Sequence, residues 1–102
     1  MGKQYPSYFV ELQQLMANLG TALPGTMGGF GQLHKQAMQD GVLSTKVKEL
    51  IALSIAITVR CDGCITYHVH AALQAGATPA EIAEAIGRSE ERRVGKECRS
   101  RW

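Results

Sequence analysis

A run of ten residues without a charged side chain is the strongest constraint on how this chain folds. Between Glu49 and Arg60 the sequence reads Leu-Ile-Ala-Leu-Ser-Ile-Ala-Ile-Thr-Val. The run is shorter than the roughly 18 apolar residues that a bilayer span requires. A helix that is apolar on all sides must be buried on all sides. Because so small a chain has little core with which to surround it, we expect several subunits to share the burial; the alternative is a central helix in a monomeric bundle.

The rest of the sequence also has a helical pattern. Apolar residues recur at spacings of three and four, and no stretch alternates with the period of two that a strand would show. Ser44 is the expected N-cap of the third helix, and Thr78-Pro79-Ala80-Glu81 is a capping box that begins the fifth. The pattern predicts an all-α fold, a compact bundle of about five helices at residues 6–22, 24–40, 45–60, 61–75 and 79–87.

The helical pattern stops after Gly87. Residues 88–102 contain six basic and three acidic residues, a net charge of +3, so residues 1–87 carry −1 of the total of +2. We expect a helical domain at 1–87 that is truncated at its C-terminal end. The basic tail at 88–102 is then foreign, derived from cloning or a frame shift; a natural basic tail is the alternative. The body has no nucleic-acid footprint.

Composition is that of an ordinary globular protein, with 45% hydrophobic and 20% charged residues. Three cysteines are too few for a disulfide scaffold. The first residues lack the apolar core of a signal peptide. We therefore predict a cytoplasmic protein that associates with neither membranes nor nucleic acid.

One short motif combines two cysteines with a histidine. Cys61, Cys64 and His68 are spaced by three and four, so a helix places them on one face. Two sulfurs at that spacing can close a disulfide, and the imidazole can take the proton from Cys64, whose thiolate is the reactive form. Cys64 is expected in the first turn of the fourth helix, where unpaired amides favour an anion. Glu49, the only acid of the third helix, can hold the His68 tautomer or can simply face solvent.

Other interpretations of these residues remain open at this stage. The cysteines could be two buried structural thiols. A zinc site lacks a second ligand pair, although four side chains could be offered: Cys61, Cys64, His68 and His70. We predict no metal and no cofactor other than the redox-active cysteine pair. His34 is expected on a polar helix face, and Tyr67 as a packing group with its hydroxyl at an edge.

The acid, the two cysteines and the histidine together resemble a known family motif. Glu49, Cys61, Cys64 and His68 match the pattern Glu-x11-Cys-x-x-Cys-x-x-x-His of the AhpD-like branch of the carboxymuconolactone decarboxylase family. The surrounding amino-acid sequence also resembles that family over roughly residues 6–87, for example at residues 48–53 and 76–82. Members of that family usually continue past the fifth helix into another apolar segment, where this chain has its basic tail.

The resemblance implies an all-α homo-oligomer, a trimer or hexamer, with peroxidase and antioxidant activity that reduces hydroperoxides or disulfides. It implies Cys64 as the thiol activated through His68, Cys61 as its disulfide partner and Glu49 as the relay acid. A thiol or lipoyl-type reductant would regenerate the dithiol. The alternatives are a non-catalytic or metal-binding member of the family, or a decarboxylase of a small lactone acid. Decarboxylation is the less favoured of these, because the decarboxylases lack this cysteine pair.

Overall fold

Five α-helices make up the part of the chain that the structure describes. The structure is a computed structural model that describes residues 5–94, with side chains for residues 6–91. The helices are α1 (Tyr5–Ala22), α2 (Pro24–Met38), α3 (Thr45–Val59), α4 (Asp62–Gln74) and α5 (Pro79–Val94). Residues 5–94 contain no strand, so the predicted all-α fold is confirmed. Within the same range, no helix has the length and apolar character needed to cross a membrane.

The two predicted helix starts have the expected capping contacts. Ser44 Oγ accepts the N–H of Val47 at 3.2 Å. In the capping box, Thr78 N–H donates to Glu81 Oε1 at 2.8 Å, and Glu81 N–H donates to Thr78 Oγ1 at 3.1 Å. Lys46 Nζ donates to the other carboxylate oxygen of Glu81 at 2.9 Å. The Thr78 N–H first, and Lys46 second, hold the pKa of the Glu81 carboxyl below its usual range.

The core lies where α4 and α5 pack against one face of α3. Leu53 of α3 is fully buried and contacts Ala72 of α4, Ala77 in the connection, and Ile82 of α5. Gly76, at a φ of 98°, ends α4 in a left-handed conformation that glycine adopts without steric cost. Helices α1 and α2 pack on each other, and α1 also packs on α4. This arrangement holds α3 and α4 side by side, with the Cys61–Cys64 segment where one helix ends and the next begins.

The opposite face of α3 is not covered by any other helix within residues 5–94. Val47, Ile51, Ile55 and Val59 are spaced by four and form an apolar stripe, with exposed fractions of 37% to 64%. We call these four residues the α3 stripe. Among the described residues of one chain, this side of α3 therefore stays exposed.

The fifth helix is longer than the sequence pattern predicted. It continues for seven residues past Gly87, to Val94. Ser89 is 4% exposed and donates its hydroxyl to the Ser54 carbonyl at 3.1 Å, while its Oγ lies 3.3 Å from Thr58 Oγ1. The prediction counted apolar residues only and so missed a contact between α3 and α5 made of hydroxyl groups. Residues 95–102, including Cys98, lie outside the described residues, and the origin of the tail stays a prediction.

Candidate functional site

A tight turn between α3 and α4 positions the cysteines. Arg60 ends α3 in the left-handed region, with a φ of 60°. Its N–H bonds to the Ile57 carbonyl at 3.1 Å, and the next N–H, of Cys61, bonds to the Ala56 carbonyl at 3.1 Å. These bonds satisfy carbonyls that a helix end otherwise leaves unpaired. Cys61 thereby becomes the N-cap of α4 directly after α3 ends.

The two sulfurs lie together at the start of α4. Cys61 and Cys64 form a disulfide, with their Cα atoms 5.2 Å apart. The Cys64 N–H also donates to Cys61 Sγ at 3.1 Å, so this sulfur caps the helix. Cys64 lies in the first turn and is exposed, whereas Cys61 is partly buried. Solvent access to Cys64 argues against a pair of buried structural thiols.

The predicted acid and histidine meet across the α3–α4 contact. His68 Nδ1 lies 2.7 Å from Glu49 Oε1, and Glu49 is 4% exposed. When the carboxylate is ionised it can only accept a hydrogen bond, and Nδ1–H is then the donor. The opposite ring nitrogen, Nε2, has no hydrogen-bond partner among the described residues. Glu49 therefore does not face solvent, which was the other interpretation of its position.

Helix α1 packs over the turn that joins the cysteines. A Cβ on Gly63 would lie 3.6 Å from both Leu12 methyl groups and 3.7 Å from the Tyr8 hydroxyl. Such distances are ordinary van der Waals contact, so the backbone at this position lies directly against α1. A methyl group at Gly63 would therefore fit against α1 without displacing either helix.

His70 belongs to a different face of α4 from the sulfurs. Its ring stacks on Phe9 of α1, with centroids 4.1 Å apart. Both rings line an apolar groove of about 600 Å³ between α1 and α4. Groups of three or more His, Cys, Asp or Glu side chains placed to hold a metal ion do not occur among residues 5–94. Of the four side chains considered for zinc, Cys61 and Cys64 are bonded to each other and His70 lies apart from them, against Phe9.

A second histidine approaches the site from α2. His34 Nε2 lies 3.3 Å from the Tyr67 hydroxyl, and the Tyr67 ring meets the His68 ring edge-on, with centroids 5.1 Å apart. The polar helix face predicted for His34 is therefore a contact with α4. Tyr67 follows Cys64 by three residues, a spacing that could have suggested proximity. His34 had no such signal, because it lies on a separate helix.

A family model and several relatives match this chain. The sequence model of the Carboxymuconolactone decarboxylase family matches residues 24–93. An uncharacterised protein of Cupriavidus necator is 40% identical over 76 residues, which cover 74% of this chain and 67% of that protein. Uncharacterised protein 4 of the cox locus of Paracoccus denitrificans is 41% identical over 65% of this chain and 60% of its own length. The chain thus spans about two thirds or less of these relatives.

Two solved structures share the fold. A carboxymuconolactone decarboxylase family protein of Legionella pneumophila, in its apo form, superposes with a TM-score of 0.80 at 31% identity, covering 86% of this chain and 79% of that one. A family member of Thermotoga maritima, with a suggested involvement in the antioxidative response, superposes with a TM-score of 0.71 at 32% identity. The second match covers 80% of this chain and 70% of the Thermotoga chain.

Proposed function

Because the chain belongs to the carboxymuconolactone decarboxylase family, we propose that it is a thiol-dependent oxidoreductase of the AhpD-like branch that reduces hydroperoxides or disulfides. The observation that carries the proposal is the bonded pair Cys61–Cys64 at the start of α4, on the helix that also presents His68 to the buried Glu49. The involvement suggested for the Thermotoga relative concerns the same kind of chemistry.

In the reduced enzyme, His68 accepts the proton of the Cys64 thiol. Glu49 holds Nδ1 as the protonated ring nitrogen, which leaves Nε2 as the basic one. Cys64 precedes His68 by one helical turn, and long side chains on a helix lean toward its N-terminus. The buried carboxylate then stabilises the imidazolium that forms. Cys64 also lies in the first turn of α4, where the helix dipole favours a thiolate.

The reduction of a hydroperoxide takes two steps. The Cys64 thiolate attacks the terminal peroxide oxygen, and the O–O bond breaks. The products are a Cys64 sulfenic acid and an alkoxide, which takes the proton held by His68 and leaves as the alcohol. The Cys61 thiol then attacks the Cys64 sulfur, so that an S–S bond forms, the S–O bond breaks and water departs. The Cys61–Cys64 disulfide in the structure corresponds to the product of these two steps.

A dithiol reductant returns the pair to its starting state. One thiolate of a lipoyl-type or other thiol reductant attacks the disulfide, and its second thiol displaces the remaining mixed disulfide. The protein gains two electrons and two protons, and the reductant becomes the disulfide. A cytoplasmic location suits this cycle, because thiols are kept reduced there.

Hydroperoxide turnover with a dithiol reductant tests the proposal. Cys64→Ser should lose turnover and yield no sulfenic acid with a dimedone-type trap. Cys61→Ser should lose turnover yet still give the trapped Cys64 sulfenic acid, because the attacking sulfur remains. Cys98→Ser is the control and should retain activity. Wild-type turnover in Cys64→Ser would contradict the mechanism.

The same variants separate the alternatives. Decarboxylation of a small lactone acid that survives the loss of Cys61 and Cys64 would identify a decarboxylase. Stoichiometric zinc by elemental analysis, without redox cycling of the pair, would identify a metal-binding member of the family.

We also propose that the enzyme is a homo-oligomer, a trimer or hexamer, in which the α3 stripe is covered by further copies. The support is the exposure of four apolar β-branched side chains on one helix face. Light scattering after gel filtration measures the assembly. Ile55→Lys should reduce the mass to that of smaller species, whereas Ala83→Lys, at an exposed position of α5, should not. An unchanged mass in Ile55→Lys would remove the stripe from the interface.

A further inference from the structure

We propose that Tyr67 and His34 form a positioning pair that fixes the ring of His68, which follows Cys64 by one helical turn. The inference rests on the proposed function, because it concerns the base that activates the thiol. The Tyr67 ring stands nearly perpendicular to the His68 ring, at 89°, with centroids 5.1 Å apart. The Tyr67 hydroxyl lies 3.3 Å from His34 Nε2. Neither residue is part of the acid–dithiol–histidine set.

One hydrogen bond does not define the orientation of an imidazole. The bond from His68 Nδ1 to Glu49 fixes the position of one ring atom. The second torsion of histidine has a broad preference, so the ring can still turn about that contact and change the direction in which Nε2 points. A second ring packed perpendicular to it, in the edge-to-face geometry that aromatic groups favour, limits this swing. Tyr67 supplies that second contact.

Tyr67 needs a partner of its own to act in this way. It is 42% exposed, and an exposed side chain loses rotamer entropy when it is held in one orientation. His34 ties the far end of the Tyr67 side chain to α2, through the hydroxyl and through a T-shaped ring contact with centroids 5.9 Å apart. Phe30, one turn earlier on α2, stacks on His34 at 6.4 Å. Helix α2 thus supports His68 through Tyr67.

The test measures thiol reactivity separately from turnover. In a Cys61→Ser/Cys98→Ser background, Cys64 is the only thiol, and its rate of alkylation reports how well His68 activates it. Tyr67→Leu removes the ring and should slow alkylation by about threefold to tenfold, the range expected of one edge-to-face pair. Tyr67→Phe and His34→Asn each remove the hydrogen bond and should slow it by about twofold to fivefold.

Two further measurements distinguish positioning from a general loss of structure. The double variant Tyr67→Phe/His34→Asn should be no slower than His34→Asn alone, because His34→Asn already removes the bond that Tyr67→Phe removes. Nitrogen NMR of the histidine rings should show a less uniform His68 tautomer in Tyr67→Leu. His70→Asn is the matched control, since this histidine packs on Phe9 in a different contact, and it should alkylate at the parental rate.

Contrary results are distinguishable from failure of the proposed function. Parental alkylation rates in Tyr67→Leu and His34→Asn, with unchanged His68 signals, would overturn the positioning pair. Additive slowing by Tyr67→Phe and His34→Asn would overturn the link between them. An enzyme that shows the expected alkylation rates but reduces no hydroperoxide or disulfide would keep the pair and refute the oxidoreductase.

Discussion

Replacement of Glu49 by glutamine tests whether a buried carboxylate acts on Cys64 through His68. Glu49 Oε1 and His68 Nδ1 lie 2.7 Å apart, and the Glu49 and His68 side chains are only 5% and 18% exposed. Water therefore screens this contact little. A hydrogen bond to a charged group is worth about 1.5–3 kcal/mol, and each 1.4 kcal/mol is a factor of about ten. Glutamine keeps the size and a carbonyl oxygen but loses the charge. We therefore expect Cys64 to react about 10-fold to 100-fold more slowly at neutral pH.

The assay is a double-mutant cycle on the alkylation rate. Glu49→Gln, His68→Gln and the double variant are compared as reduced proteins whose only cysteine is Cys64, over a range of pH. Each single variant should shift the alkylation profile toward higher pH. Because the acid is proposed to act only through the imidazole, the double variant should be no slower than His68→Gln alone.

Independent effects would refute this reasoning. If Glu49→Gln slows Cys64 by the same factor with and without His68, the carboxylate acts on the thiol by another route. If Glu49→Gln leaves the alkylation profile in place, the 2.7 Å contact is structural only. Circular dichroism of each variant checks that α3 and α4 remain folded.

Three further predictions concern stability. Leu53→Ala should lower the free energy of unfolding by about 2–5 kcal/mol, because Leu53 is fully buried. Leu73→Ala, at an exposed position, is the control and should lower it far less in urea unfolding. Equal losses in the two variants would show that Leu53 is not at the centre of the core. Arg60→Gly should raise the free energy of unfolding by about 1 kcal/mol, because glycine adopts the positive φ of this position without strain. Arg60→Ala is the control and should give no such gain. Destabilisation by Arg60→Gly would contradict the left-handed conformation at the end of α3. The capping bonds of Glu81 lower the pKa of its carboxyl, so the stability that they contribute is present above the usual glutamate pKa, near pH 4, and is lost as the pH falls below it. The stability of Glu81→Gln should therefore depend less steeply on pH in acid unfolding. An identical pH dependence of the variant and the wild type would contradict this.

The local geometry of the site could be predicted because it depends on short sequence spacings. Three and four residues separate Cys61, Cys64 and His68, and a helix converts those spacings directly into a shared face. The helix starts at Ser44 and Thr78 were equally local, because a capping side chain bonds within three residues. The contact between Glu49 and His68 followed from the family motif, since spacing alone left Glu49 free to face solvent.

Contacts between distant helices could not be predicted in the same way. His34 meets Tyr67 across 33 residues, and nothing in either local pattern indicates that pairing. The extent of α5 was underestimated because Ser89 is buried by hydroxyl contacts with α3, whereas the prediction considered apolar periodicity alone. Both cases depend on how whole helices dock, which tertiary packing decides.

The sulfur of Cys61 has two roles, since it belongs to the disulfide and also accepts the N–H that begins α4. Reduction of the disulfide therefore changes the acceptor of the Cys64 N–H from a disulfide sulfur to a thiol or thiolate sulfur. Serine and alanine at position 61 both remove the thiol, but serine is a favoured N-cap and keeps an acceptor for the Cys64 N–H. Alanine would in addition destabilise the start of α4 by roughly 1 kcal/mol. The effect of Cys61→Ala would therefore combine the loss of the helix cap with the loss of the thiol.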